Sequence, residues 1–160
     1  MILSNENIKI IEIKNFPFFP NIFILAPCHY IMQIIIDTNF FITCIKQKID
    51  LFSELEELYG KGGFEIVVPS QVLNELEMLK DNKKMTIKEK ESAKLAIYLI
   101  DKNNADIVDM PEKNADLAII AYANNNSVIV ATLDKKLKNA IKNKKTRFLI
   151  IKGLKRIVED

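Results

Sequence analysis

Five short apolar runs constrain this chain more than any other feature. They are QIII at 33–36, EIVV at 65–68, DIV at 106–108, VIVA at 128–131 and RFLII at 147–151. A strand with one wet face alternates apolar and polar residues, whereas these runs are nearly continuous, so both faces must be covered. Between them lie amphipathic stretches with helical spacing, predicting helices near 39–46, 51–59, 70–80, 87–102, 114–124 and 135–143. Strand–helix alternation with fully buried strands predicts an α/β chain, a three-layer α/β/α sandwich around a mainly parallel five-stranded sheet. Gly60-Lys61-Gly62-Gly63 precedes the second strand and reads as a helix stop and turn. The lysine-rich segment 80–94 reads as a polar break between two helices, a solvated loop rather than a second basic patch.

At 160 residues the chain suits one domain. Its expected organisation is an N-terminal extension over 1–31, a core domain over 32–155 and a tail over 156–160. The apolar stretch 16–36 is long enough to cross a membrane, but Pro17, Pro20 and Pro27 break a helix there, and Asn21, His29 and Gln33 interrupt it. Glu6 and Glu12 precede the apolar run, which argues against a secretory signal. Residues 1–31 read either as an extension ahead of Met32 or as a small edge hairpin from 8–13 and 22–26.

Composition removes several chemistries. His29 is the single histidine, so mechanisms needing two are excluded. Two cysteines, Cys28 and Cys44, make neither a disulfide scaffold nor a zinc ribbon, and they suit a reducing cytoplasm. No glycine-rich phosphate loop follows any strand. The net charge of +2 hides an asymmetry. Residues 134–160 hold ten Lys/Arg against Asp134, Glu159 and Asp160, whereas 1–133 hold 13 basic and 18 acidic groups. A basic end on a nearly neutral chain predicts a polyanionic partner, or else only a solvated lysine-rich helix. Lysine suits phosphate contact better than base reading.

In an open parallel sheet, function sits beyond the carboxyl ends of the strands. Asp37 follows the first strand in IIIDTN. Glu75 lies on the helix after the second, Asp116 at the start of the helix after the third, and Asp134 just past the fourth. Each has a simpler reading. Asp37 could be a turn residue, Asp134 a helix cap, Asp116 a charge at the positive end of its helix two residues past Asn114, and Glu75 a surface glutamate. Four acids at four equivalent positions go beyond capping. Glu75 is preferred to Glu77 because it sits one turn into its helix, beside the apolar stripe. Converging carboxylates repel unless a cation joins them, and oxygen ligands without His or Cys select Mg²⁺ or Mn²⁺.

The motifs IIIDTNFF (34–41), VVPSQVLNELEML (67–79), NADLAIIAYA (114–123) and VIVATLDKKLK (128–138) resemble the PIN-domain ribonucleases over residues 32 to about 155. The resemblance implies that Asp37, Glu75, Asp116 and Asp134 are the acidic quartet, binding Mg²⁺ or Mn²⁺ for RNA hydrolysis, with Asn39 and Thr132 as supporting polar groups. The basic segment then supplies RNA backbone contacts from Lys135, Lys136, Lys138, Lys142, Lys144 and Lys145. IDLFSELEEL (49–58), the proline-led helix and VATLDKKLK look most like the archaeal and eukaryotic branch that processes small-subunit ribosomal RNA. The VapC toxins, which pair with an antitoxin, are the alternative branch, and a homodimer is a further partner to test. Leu117 and Lys136 depart from the family pattern, standing where further acids often occur. That thinning leaves a non-cleaving RNA scaffold as a competing reading. A receiver-like phosphoacceptor domain fits less well, since no paired acids end the first strand.

Overall fold

Ile34, Ile35 and Ile36 are wholly buried, so both faces of their strand are covered, and the strand lies inside the sheet with a neighbour on each side. A computed structural model describes residues 31–153 and 156–160. The elements run β1 (Met32–Ile36), α1 (Thr38–Gln47), α2 (Leu51–Tyr59), β2 (Phe64–Pro69), α3 (Ser70–Asp81), α4 (Ile87–Lys102), β3 (Asp106–Val108), α5 (Ala115–Asn125), β4 (Val128–Ala131), α6 (Lys135–Ala140), β5 (Arg147–Lys152) and β6 (Arg156–Glu159). The strand order is β3-β2-β1-β4-β5-β6. Strands β3, β2, β1, β4 and β5 pair in parallel, and β6 closes the sheet antiparallel to β5.

The fold is the expected α/β arrangement with a mainly parallel sheet, and it has six strands rather than five. The sixth is the stretch 156–160 that reads as a tail. The segment RIVE is too short and too charged to stand out, yet Ile157 is buried against the core. Its rim is pinned from the side: the Arg156 guanidinium reaches Glu54 (3.0 Å) and Glu57 (2.6 Å), and the Ile157 N–H donates to Glu54 (2.9 Å). Two boundaries also move. Helix α6 stops at Ala140, short of 143, and the break after α3 shrinks to residues 82–86. There Thr86 starts α4 through a capping box with Glu89, so most of the lysine-rich segment is helical. The reading of residues 1–31 lies, apart from Ile31, outside the described residues.

The turn into β2 depends on glycine. Gly62 has φ of 74°, and a Cβ at Gly63 would stand 2.1 Å from the Tyr59 carbonyl oxygen. This tight turn lets β2 start level with β1, Met32 opposite Phe64. Because β1 to β4 are parallel, their carboxyl ends share one edge of the sheet. Asp37, the start of α3, the start of α5 and Thr132–Asp134 all emerge there.

Candidate active site

Asp37 is the centre of this edge. It caps the start of α1, its backbone carbonyl accepting from the Phe40 and Phe41 N–H groups, and its own N–H donates to Ala131 at 3.0 Å. The residue is only 2% exposed. Burial pushes its carboxyl from 3.8 up to about 6, against the opposing pull of the Thr132 hydroxyl and the Asn39 backbone N–H; the nearby Asp116 and Glu75 charges raise it further. Among the described residues, no basic group is among the charges that act on it. A buried carboxylate next to two other acids, without a counter-cation, is an unusual arrangement for a merely structural residue.

Hydrogen bonds position the neighbours. The Thr132 hydroxyl donates to Asp37 Oδ2 (3.0 Å) and accepts from the Asp134 N–H (3.1 Å), so one fully buried hydroxyl ties the two residues together. The supporting group Thr132 thus gives its hydroxyl proton to Asp37 and meets Asp134 only at the backbone. The Thr38 hydroxyl donates to Glu75 Oε2 at 2.7 Å and turns that carboxylate toward the site. Glu77 faces away and pairs with Lys80. Asp116 is exposed on the first turn of α5, behind the cap in which Asn114 Oδ1 accepts from the Leu117 N–H (2.9 Å). Asp134 caps α6, Oδ1 accepting from the Lys136 (2.6 Å) and Leu137 (3.4 Å) N–H groups. The side chain of Asn39 is exposed and makes no hydrogen bond to Asp37; its contribution is its backbone N–H.

Asp37, Glu75 and Asp116 therefore act on one another electrostatically, whereas Asp134 meets Thr132 through its backbone N–H, its carboxylate caps α6, and it is not among the charges that act on Asp37. Sequence reasoning passed over Thr38, whose signal was its place between Asp37 and Asn39. It also passed over Gln71. Its amide donates to the Met110 (2.6 Å) and Glu112 (2.7 Å) carbonyls and so fixes the loop that delivers α5. Nothing in the sequence separates Gln71 from any other helical glutamine.

The six lysines do not form one surface. Lys135 and Lys136 are exposed at the start of α6, at the acidic edge. Lys142, Lys144 and Lys145 follow α6 and precede β5, so they stand at the amino ends of the strands, the opposite edge. Lys138 is committed: its ammonium pairs with Asp160 (2.6 Å) and lies 5.3 Å from the centre of the Phe148 ring. Among the described residues it is the one lysine of the six with an acidic partner.

The family model described as a PIN like domain matches residues 34–154. The chain belongs to the PIN-like domain family. Ribonuclease VapC4 of Methanocaldococcus jannaschii is 37% identical over 124 residues, covering 77% of this chain and 92% of that protein. Among solved structures, that of the PIN domain endonuclease Utp24 matches with a TM-score of 0.63 and 28% identity over 78% of this chain and 90% of that one. VapBC2 from Rickettsia felis, solved bound to a DNA fragment from its promoter, matches with a TM-score of 0.52 over 73% of this chain and 98% of that one. Its 21% identity speaks to the fold alone.

A PIN-like domain implies a divalent cation, and the donor set can be tested for it. In charge the residues fit: Asp37, Glu75 and Asp116 are hard oxygen donors with no basic partner among the groups acting on Asp37. In position they are not a closed cage. Among the described residues no three acids, histidines or cysteines stand close enough to hold one ion together.

Proposed function

We propose that this PIN-like chain is a metal-dependent endoribonuclease that hydrolyses RNA phosphodiester bonds. The observation that carries the reading is the uncompensated charge on buried Asp37, flanked by Glu75 and Asp116. The relatives named as a ribonuclease and an endonuclease support it. Asp37, Asp116, Glu75 and Asp134 would hold Mg²⁺ or Mn²⁺, directly or through water. The ion would supply a water of lowered pKa and offset charge on the phosphate.

The chain's own residues do the rest. Thr132 holds the Asp37 carboxylate in one orientation and keeps Asp134 beside it. Thr38 holds Glu75 where it can accept a proton from a water entering the edge. Lys135 and Lys136 stand where the flanking phosphates of an RNA would pass, positioning the strand without reading sequence. The processing of ribosomal RNA remains the preferred role, on the motifs at 49–58, 69–79 and 130–138, and a cytoplasmic setting goes with it. The second reading, a VapC-type toxin with an antitoxin partner, is favoured by the likeness to VapC4.

The test is cleavage of a labelled structured RNA by wild type and Asp37→Asn, with Mg²⁺, Mn²⁺ or EDTA. Metal-dependent cutting lost in the variant is expected. RNA bound but left intact by folded wild-type protein, across several substrates, would replace the nuclease reading with a scaffold, with Leu117 and Lys136 as the suspected cause. Growth arrest on expression, relieved by a small protein encoded beside this one, would favour the toxin branch.

A further inference from the structure

We propose that Lys142, Lys144 and Lys145 form a second RNA-backbone site, separate from the acidic edge; this rests on the ribonuclease reading. A groove of about 610 Å³ lies at the amino ends of β4 and β5, between the end of α5 and the segment after α6. Its lining is amide and cationic, with Asn124, Asn125 and Asn143 beside Lys142 and Lys145.

The ordinary explanation for lysines near a helix C-terminus is that they satisfy its last carbonyls. Here that task is already taken. Asn125, Asn126 and Asn143 donate their side-chain amides to the Ala121 (2.8 Å), Tyr122 (2.9 Å) and Ala123 (2.9 Å) carbonyls. Meanwhile Asn124 Oδ1 accepts from the Lys142 (2.7 Å) and Asn143 (3.2 Å) N–H groups, and Asn143 Oδ1 from that of Lys145 (3.0 Å). The backbone carrying the three lysines is thus pinned from two sides. All three side chains are exposed, and among the described residues none has an acidic partner. A fixed backbone removes the backbone share of the ordering cost of binding an anion. Their flexible stems and point charges suit phosphates of any sequence.

The geometry sets a length requirement. Strand β4, four residues long, separates this groove from Thr132. That is roughly 15 Å, or four to five steps of a stacked strand. An RNA gripped at the acidic edge reaches the second site only if it is longer than that and runs along α6.

The experiment measures affinity for single-stranded RNAs of about 4 and about 16 nucleotides, the range over which single-strand sites are filled. The full chain carries Asp37→Asn so that the RNA stays intact. With K142A/K144A/K145A added, the long RNA is expected to bind at least about tenfold more weakly, and its log–log salt slope to flatten by about 2. The short RNA should bind as before. An unchanged long-RNA affinity, or an equal loss at both lengths, overturns the second site. If wild type still cuts RNA in that case, the ribonuclease reading stands. If wild type neither binds nor cuts RNA, both fall.

Discussion

Asp37 is held at a cost to the fold. Its carboxyl titrates near 6 instead of 3.8, chiefly because it is buried. The proton is therefore bound more tightly in the folded chain than in the unfolded one. Stability from this group is present below the ordinary pKa and is lost as pH rises from about 4 through 6. At neutral pH the ionised residue costs up to about 3 kcal/mol, the equivalent of a two-unit shift. Asp37→Asn removes the charge and keeps an oxygen for the Thr132 hydroxyl. The metal-free variant should then equal wild type near pH 4 and exceed it by about 1–3 kcal/mol at pH 7 in urea unfolding. Added Mg²⁺ or Mn²⁺ should raise the wild-type melting temperature and leave the variant unmoved. A variant less stable than wild type at pH 7 would make Asp37 a structural residue.

At the scale of elements, Asp134 has two tasks that can be separated. It caps α6 with its side chain, its backbone N–H donates to Thr132, and it is proposed as one of the metal-holding acids. Asparagine caps a helix about as well as aspartate, whereas alanine does not. Asp134→Ala should lose about 1 kcal/mol in urea unfolding and Asp134→Asn almost none. If the charge matters for hydrolysis, both variants lose cleavage; cleavage retained by Asp134→Asn would reduce Asp134 to a cap. The same ambiguity was visible in VATLDKKLK, because an N-cap and a metal ligand at a strand end need the same residue type at the same place. Glu75 and Glu77 were separable in advance by helical phase, since only one faces the sheet edge. The partner that orients Glu75, Thr38, depends on α1 and α3 meeting, and no local pattern encodes that contact.

For the whole molecule, β6 is the piece that joins distant parts. Ile157 is 2% exposed, and Glu159 accepts from Tyr59 (2.6 Å) and Arg147 (2.8 Å). Asp160 in turn pairs with Lys138. Ile157→Ala should cost about 2–5 kcal/mol by equilibrium unfolding, as for other core truncations. A cost below about 1 kcal/mol would mean that β6 is dispensable. The surface pairs around it should matter less, each contributing at most about 1 kcal/mol.

The layered α/β fold, the five parallel strands and most helix bounds follow from the sequence, because continuous apolar runs and 3.6-residue spacing are local patterns with strong energetic consequences. That the four acids emerge at one edge was also legible, since a parallel sheet sends every strand's carboxyl end there; their proposed joint role is a separate matter for experiment. Only the tertiary structure decided what those residues touch. It turned Thr132 toward Asp37, committed Lys138 to Asp160, divided the lysines between two edges and made a strand of RIVE. Each of these depends on contacts between segments far apart in the chain, where packing and charge, rather than local spacing, choose the partner.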